Sequence, residues 1–159
     1  FQSPYKVFHY RITTCGATVS NNCSYIQNPN YPSSESSGDC SFNISPLNAD
    51  VCQLRLDFDN FDITETAPIT GACTDTFDIT SGSSRDYFAL CGTLTGQHSK
   101  LCLLRLYGTF FTTVMFIFSD VETGRATTDQ VAKFTIGTAS TVATWRIKVN
   151  QIECSSTSK

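Results

Sequence analysis

The sequence predicts an all-β sandwich held by disulfides. Three observations carry this. Apolar and polar side chains alternate at a spacing of two, clusters of Gly, Pro, Asn and Ser cut the chain into short runs, and eight cysteines are spread over 159 residues. Apolar spacing of three and four residues, the mark of an amphipathic helix, is sustained nowhere. The length suits one domain with its own core and falls short of the usual size of two.

Taken in order, residues 1–14 carry Phe1, Tyr5, Phe8 and Tyr10 and read as an N-terminal arm or extra strand. Asn28-Pro29-Asn30-Tyr31-Pro32 and the Ser-rich run from Ser33 to Gly38 are turn chemistry. A strand follows in which Cys52, Leu54, Leu56 and Phe58 share one face while Gln53, Arg55, Asp57 and Asp59 share the other. Phe77 and Ile79 alternate with Thr76, Asp78 and Thr80 before the turn Ser81-Gly82-Ser83-Ser84. The run from Thr113 to Phe118 is apolar on both faces and reads as a central strand, ended by the turn at Thr123-Gly124. Val131 to Ile136 reads as a further strand, and Trp145, Ile147 and Val149 alternate with Arg146, Lys148 and Asn150 in the last one. Residues 155–159 read as a flexible tail. Strands with one wet face suit antiparallel sheets.

Charge excludes some partners. The formal net charge is −3, from 11 basic and 14 acidic side chains, and no Lys/Arg run exists, so neither nucleic acid nor an anionic membrane surface has electrostatic support. The most apolar stretch, Leu101 to Phe118, is interrupted by Arg105, Gly108 and several Thr, and reads as buried strands rather than a membrane insertion. The chain starts at Phe1 without a charged and then apolar leader, which reads as a mature or excised fragment.

The cysteines are Cys15, Cys23, Cys40, Cys52, Cys73, Cys91, Cys102 and Cys154. None are spaced as the close pairs by which zinc sites present ligands from one turn. An even, dispersed set points to four disulfides, an oxidising compartment and a secreted, extracellular protein. The glycosylation sequons Asn22-Cys23-Ser24 and Asn43-Ile44-Ser45 point the same way.

Several of these segments together resemble the CUB domain family. Cys15-Gly16 is followed by Asn28-Pro29-Asn30-Tyr31-Pro32 and Cys40, then by an alternating strand ending in Phe58-Asp59-Asn60-Phe61. Cys73-Thr74-Asp75, Leu90-Cys91-Gly92 and Phe116-Ile117-Phe118-Ser119-Asp120 complete the pattern over residues 15–154. The segments Val51 to Phe58 and Trp145 to Cys154 look most like CUB-like domains of arthropod secreted proteins. The resemblance implies a jelly-roll sandwich of two roughly five-stranded antiparallel sheets with disulfides Cys15–Cys40 and Cys73–Cys91, each worth roughly 3 kcal/mol on a chain-entropy model. The other four cysteines allow three pairings, and the one expected is Cys23–Cys154 with Cys52–Cys102, because the first two bracket the terminal strands and the second two each open an apolar strand. After Asp120 the chain departs from the pattern and runs on from Val121 to Thr144.

Many CUB domains hold Ca²⁺ at one edge through a Glu and two Asp, and use it to order ligand-binding loops. Asp75 and Asp120 match the two Asp. The Glu position falls on Thr64, with Glu65 one residue later, reachable only through a bulge. The implied function is an extracellular, non-catalytic module that binds a protein or a glycan, with Ca²⁺ as its candidate cofactor. Readings from other classes are a structural protein that self-associates, forming homo-oligomers, and an accessory domain of a secreted serine protease. The acidic face of Asp57, Asp59 and Asp62 offers attraction for basic partners or simple edge protection, and Tyr87-Phe88 a stacking surface for sugars. Catalysis finds no support: His9 and His98 are isolated, and no Gly-x-Ser-x-Gly, His-Glu-x-x-His or phosphate-binding Gly loop occurs.

Overall fold

A computed structural model describes residues 11–64, 73–81, 89–102, 129–138, 140 and 142–154. Ten strands follow one another there: β1 (Arg11–Thr13), β2 (Thr18–Val19), β3 (Cys23–Gln27), β4 (Gly38–Ile44), β5 (Val51–Ile63), β6 (Thr76–Ser81), β7 (Gly92–Thr93), β8 (His98–Cys102), β9 (Gln130–Ile136) and β10 (Ala143–Glu153). No described residue is helical. The chain passes back and forth between two sheets. One has six strands in the order β1-β3-β10-β5-β7, with β8 also on β5; the other has four in the order β2-β4-β9-β6. The sandwich expectation holds, with two differences. The strand counts are unequal, and β1 on β3 and β2 on β4 are parallel pairs. Both parallel pairs arise because successive early strands are laid alternately into opposite sheets.

The alternation read from sequence is the alternation of burial. Leu54, Leu56 and Phe58 are buried between half-buried Gln53, Arg55 and Asp57, and Trp145, Ile147 and Val149 are buried between half-buried Arg146, Lys148 and Asn150. The strand expected at Val131 to Ile136 is a central one. As β9 it pairs with β4 on one side and β6 on the other. The expected central strand at residues 113–118 lies outside the described residues, as do residues 1–10 and 155–159.

Phe58 and Phe61 are three residues apart, so a regular strand would point them to opposite faces. A bulge resolves this: Arg146 pairs with Asn60 and Ile147 with Phe58, leaving Asp59 as the extra residue. Both rings then enter the core, 5.1 Å apart at their centroids. The turn at Leu94–Gln97 braces the bulge. Thr95 Oγ1 accepts from Phe61 N at 2.9 Å, and Gly96, at φ +82°, donates its N–H to Phe58 O at 2.7 Å. From Phe61 an aromatic string crosses between the sheets. Phe77 (β6) stacks on Phe134 (β9) at 4.4 Å, and Phe134 stacks on Trp145 (β10) at 4.0 Å. Burying such side chains contributes about 1.5–3 kcal/mol each, with about 0.5–1.5 more per aromatic pair.

Disulfides join Cys15 to Cys40, Cys73 to Cys91, and Cys52 to Cys154. The last overturns both expected pairs Cys23–Cys154 and Cys52–Cys102. The reason is register. A second bulge sits where Ile152 pairs with Gln53 and Glu153 with Val51, so Cys52 is skipped and lies beside the end of β10, its Cα 5.1 Å from that of Cys154. Cys23 carries no disulfide. It pairs across the ladder with Asn150 on β10, whereas Cys102 pairs with Gln53 on the far side of β5. That separates Cys23 from Cys102 by three strand spacings, roughly 14 Å, twice the reach of a disulfide.

Candidate functional site

At one end of the sandwich the end of β5, the start of β6 and the connection from β9 to β10 converge on Asp75. Its side chain is fully buried at 0% exposure. Oδ1 accepts from Gly137 N at 2.8 Å; Oδ2 accepts from Ser140 Oγ at 2.6 Å and from Thr64 N at 3.1 Å. Asp75 N returns a hydrogen bond to Thr64 O at 3.3 Å. Thr64 Oγ1 donates to Val142 O at 3.0 Å and accepts from Val142 N at 3.2 Å. Gly137 is the position of closest approach: a Cβ there would stand 3.2 Å from Thr74 Cγ2 and 3.5 Å from Asp75 Oδ1. The structure therefore brings Thr64 and Asp75 together, while Glu65 and Asp120 lie outside the described residues. Sequence reading missed Gly137 and Ser140. Their role depends on a contact 62 to 65 residues away along the chain, with no local signal.

Ca²⁺ takes about six to eight oxygen ligands, with carboxylates supplying much of its affinity. The described part of this site brings one carboxylate. Of its roughly four lone-pair positions, three already accept protein N–H or O–H groups. Among the described residues no group of three or more His, Cys, Asp or Glu gathers that could hold a metal. Thr64 and Asp75 by themselves do not make up a calcium centre.

The same end is closed on its other side by Asn28, which is also fully buried. Trp145 N donates to Asn28 Oδ1 at 3.0 Å, and Asn28 Nδ2 donates to Ser33 O at 2.8 Å. The turn that sequence marked by its prolines is thus fixed onto β10.

The acidic face has no open cluster of carboxylates. Asp57 pairs with Arg55 at 2.8 Å and accepts from Asn150 at 2.9 Å; Asp62 accepts from Thr93 Oγ1 at 3.0 Å. Asp59 accepts from the Tyr25 hydroxyl, and burial together with that carboxylate raises the Tyr25 pKa above its ordinary value. The Arg146 guanidinium lies over the Tyr25 ring at 4.6 Å and 5.8 Å from that of Tyr31. This arginine–tyrosine group was not legible in sequence, since its members sit on two strands and a turn. His98 is exposed on β8, opposite Asp57. Tyr87, Phe88 and His9 lie outside the described residues.

A family model described as the CUB domain matches residues 15–132. The chain belongs to the CUB domain family. Solved structures agree on the fold. A crystal structure of the MASP-1 CUB2 domain bound to Ca²⁺ is 18% identical, with TM-score 0.57, over 86% of this chain and 98% of that one. The CUB1-EGF-CUB2 region of human MASP-1/3 is 16% identical, with TM-score 0.59, over 89% of this chain and 44% of that one. The full extracellular region of zebrafish Gpr126/Adgrg6 is 19% identical, with TM-score 0.57, over 89% of this chain and 15% of that one. This CUB domain thus spans less than half of the two larger chains. None of these three gives support to an arthropod likeness. No curated protein matches the chain. Among the described residues no helix is long and apolar enough to cross a membrane.

Proposed function

We propose that this CUB domain is an extracellular, non-catalytic module that engages a protein or glycan partner through the loop edge around Thr64, Asp75 and Asp120. Family membership over residues 15–132 is the observation that carries the reading, because CUB domains are extracellular binding modules. Three disulfides support an oxidising compartment. At the edge itself Thr138 and Val142 are exposed on a connection whose backbone is fixed from beneath by Asp75 and Thr64. Of the two proposed glycan positions, Asn22 is the better placed. It is exposed and uses its Oδ1 in accepting from Gln151 N at 3.2 Å, whereas Asn43 Nδ2 donates to Asp129 at 3.0 Å.

The test is retention of a partner from native extracellular fluid on the immobilised domain, with and without chelator, beside Thr138→Arg and Val142→Arg. The reading expects capture by the wild type and its loss in both variants at unchanged circular dichroism. Capture untouched by either substitution would move the binding surface elsewhere. A wild-type domain that forms oligomers in sedimentation without any partner would favour the self-associating alternative.

A further inference from the structure

We infer that the edge around Asp75 is a metal-independent latch, in which protein hydrogen-bond donors hold a carboxylate that a calcium-organised edge would hold with the ion. The inference stands apart from the identity of any partner. It rests on the saturation of one buried side chain and on where its donors come from.

The donors belong to separate segments. Thr64 N closes β5, Gly137 N leaves β9, and Ser140 Oγ belongs to the connection that enters β10. One carboxylate thus ties the end of β5 in the six-stranded sheet to the exit of β9 in the four-stranded sheet. Metal would supply the same service, drawing several chain segments to one centre, but it needs several oxygens that are free to turn toward it. Here Asp75 Oδ2 faces two donors and Oδ1 a third. Thr64, where a carboxylate ligand would be expected, has a short side chain whose hydroxyl meets the Val142 carbonyl and N–H and lies 3.0 Å from Ser140 Oγ. It donates to the carbonyl and accepts from the N–H, so it closes the loop onto β5. Gly137 completes the arrangement, since a side chain there would crowd Thr74 and hold the backbone N–H away from Asp75.

The chemistry gives the latch a signature. Removing one donor leaves part of a buried carboxylate without a partner, which is costlier than losing a surface bond. It should also release the β9–β10 connection first, because that connection is held at both Ser140 and Val142.

The experiment uses the whole domain. Thermal unfolding of the wild type is followed in millimolar Ca²⁺ and in chelator, with calorimetric titration of Ca²⁺ alongside. Amide exchange at residues 137–142 is compared between wild type, Ser140→Ala and Thr64→Val. The latch expects the same Tm with ion and with chelator, and no heat of Ca²⁺ binding. It expects a fall in Tm of about 3–8 °C for Ser140→Ala. Exchange at residues 137–142 should quicken by about tenfold or more in either variant. A Tm raised by Ca²⁺, or saturable Ca²⁺ heat, overturns the inference. So does exchange at residues 137–142 that is indifferent to both substitutions. The calcium arms need only the wild type, so they decide the matter even where a variant does not fold.

Discussion

The two ends of β5 are anchored to the last strand by different means. At Val51 the anchor is covalent: Cys52 bonds to Cys154 across 102 residues of chain, and Cys154 N donates to Asp50 O at 2.7 Å. At Ile63 it is polar: Thr64 holds the Val142 backbone, Asp75 holds Ser140, and Asn28 holds Trp145. The covalent end acts largely by restricting the unfolded chain and is insensitive to local rearrangement. The hydrogen-bonded end acts only in the folded state, and its strength depends on donors meeting their acceptors around the buried Asp75 and Asn28. A sandwich with one end clamped and the other assembled from short polar side chains can vary its loops at the second end without losing the alignment of β5 and β10. That division of labour suits the loop-presenting role proposed above.

The contrast can be broken most severely at the covalent end. Cys52→Ala with Cys154→Ala should lower unfolding free energy by about 3–5 kcal/mol, read from denaturant curves. A change below about 1 kcal/mol would mean that the β5–β10 ladder alone keeps the ends together. Next in size is Asn28→Ala, which strips the buried Trp145 N–H of its acceptor and frees the turn at Ser33. About 1–3 kcal/mol should be lost, with an unchanged m-value. A shift within the error of the midpoint would show that water replaces the amide.

The smallest effect tests a charge away from both ends. Asp39 on β4 pairs with Lys133 on β9 at 2.7 Å, and the hydrogen bond from Lys133 holds its carboxyl below the ordinary pKa. A lowered folded value contributes stability that is present above the unfolded pKa and is lost as pH falls through the folded one. The Tm difference between wild type and Asp39→Asn should therefore be slight near neutrality, close in acid, and shrink with salt. A gap that widened on acidification would reverse the sign of the coupling.

Much of the fold is legible in the sequence because side-chain parity along a strand is a local property. Cys52 to Phe58, Thr76 to Thr80 and Trp145 to Asn150 each state which face is dry, and the dry faces are the ones buried. Parity does not state which strand lies beside which. The strand at Val131 to Ile136 is readable as a strand, yet its place between β4 and β6 is fixed only when Phe134 meets Phe77 and Trp145. Cysteine pairing fails for the same reason. Cys52 reaches Cys154 through a bulge, and a bulge is a disagreement between two strands, invisible in either alone. At the site, Thr64 and Asp75 could be placed on one edge from a family pattern. Ser140 could not, since a serine in a polar connection carries no mark of the carboxylate it will meet.

The order of strands has a practical corollary for shortened forms of this protein. β10 lies wholly past residue 132, where the family match stops, yet it is the interior member that β3 and β5 share. A splice or proteolytic cut between β9 and β10 would leave two facing rows of bare backbone amides and carbonyls, an empty slot once filled by the Trp145 indole, and Cys52 without its disulfide partner. Such a remnant would seek a replacement strand from any neighbouring chain, so clumping rather than simple instability is the failure to look for.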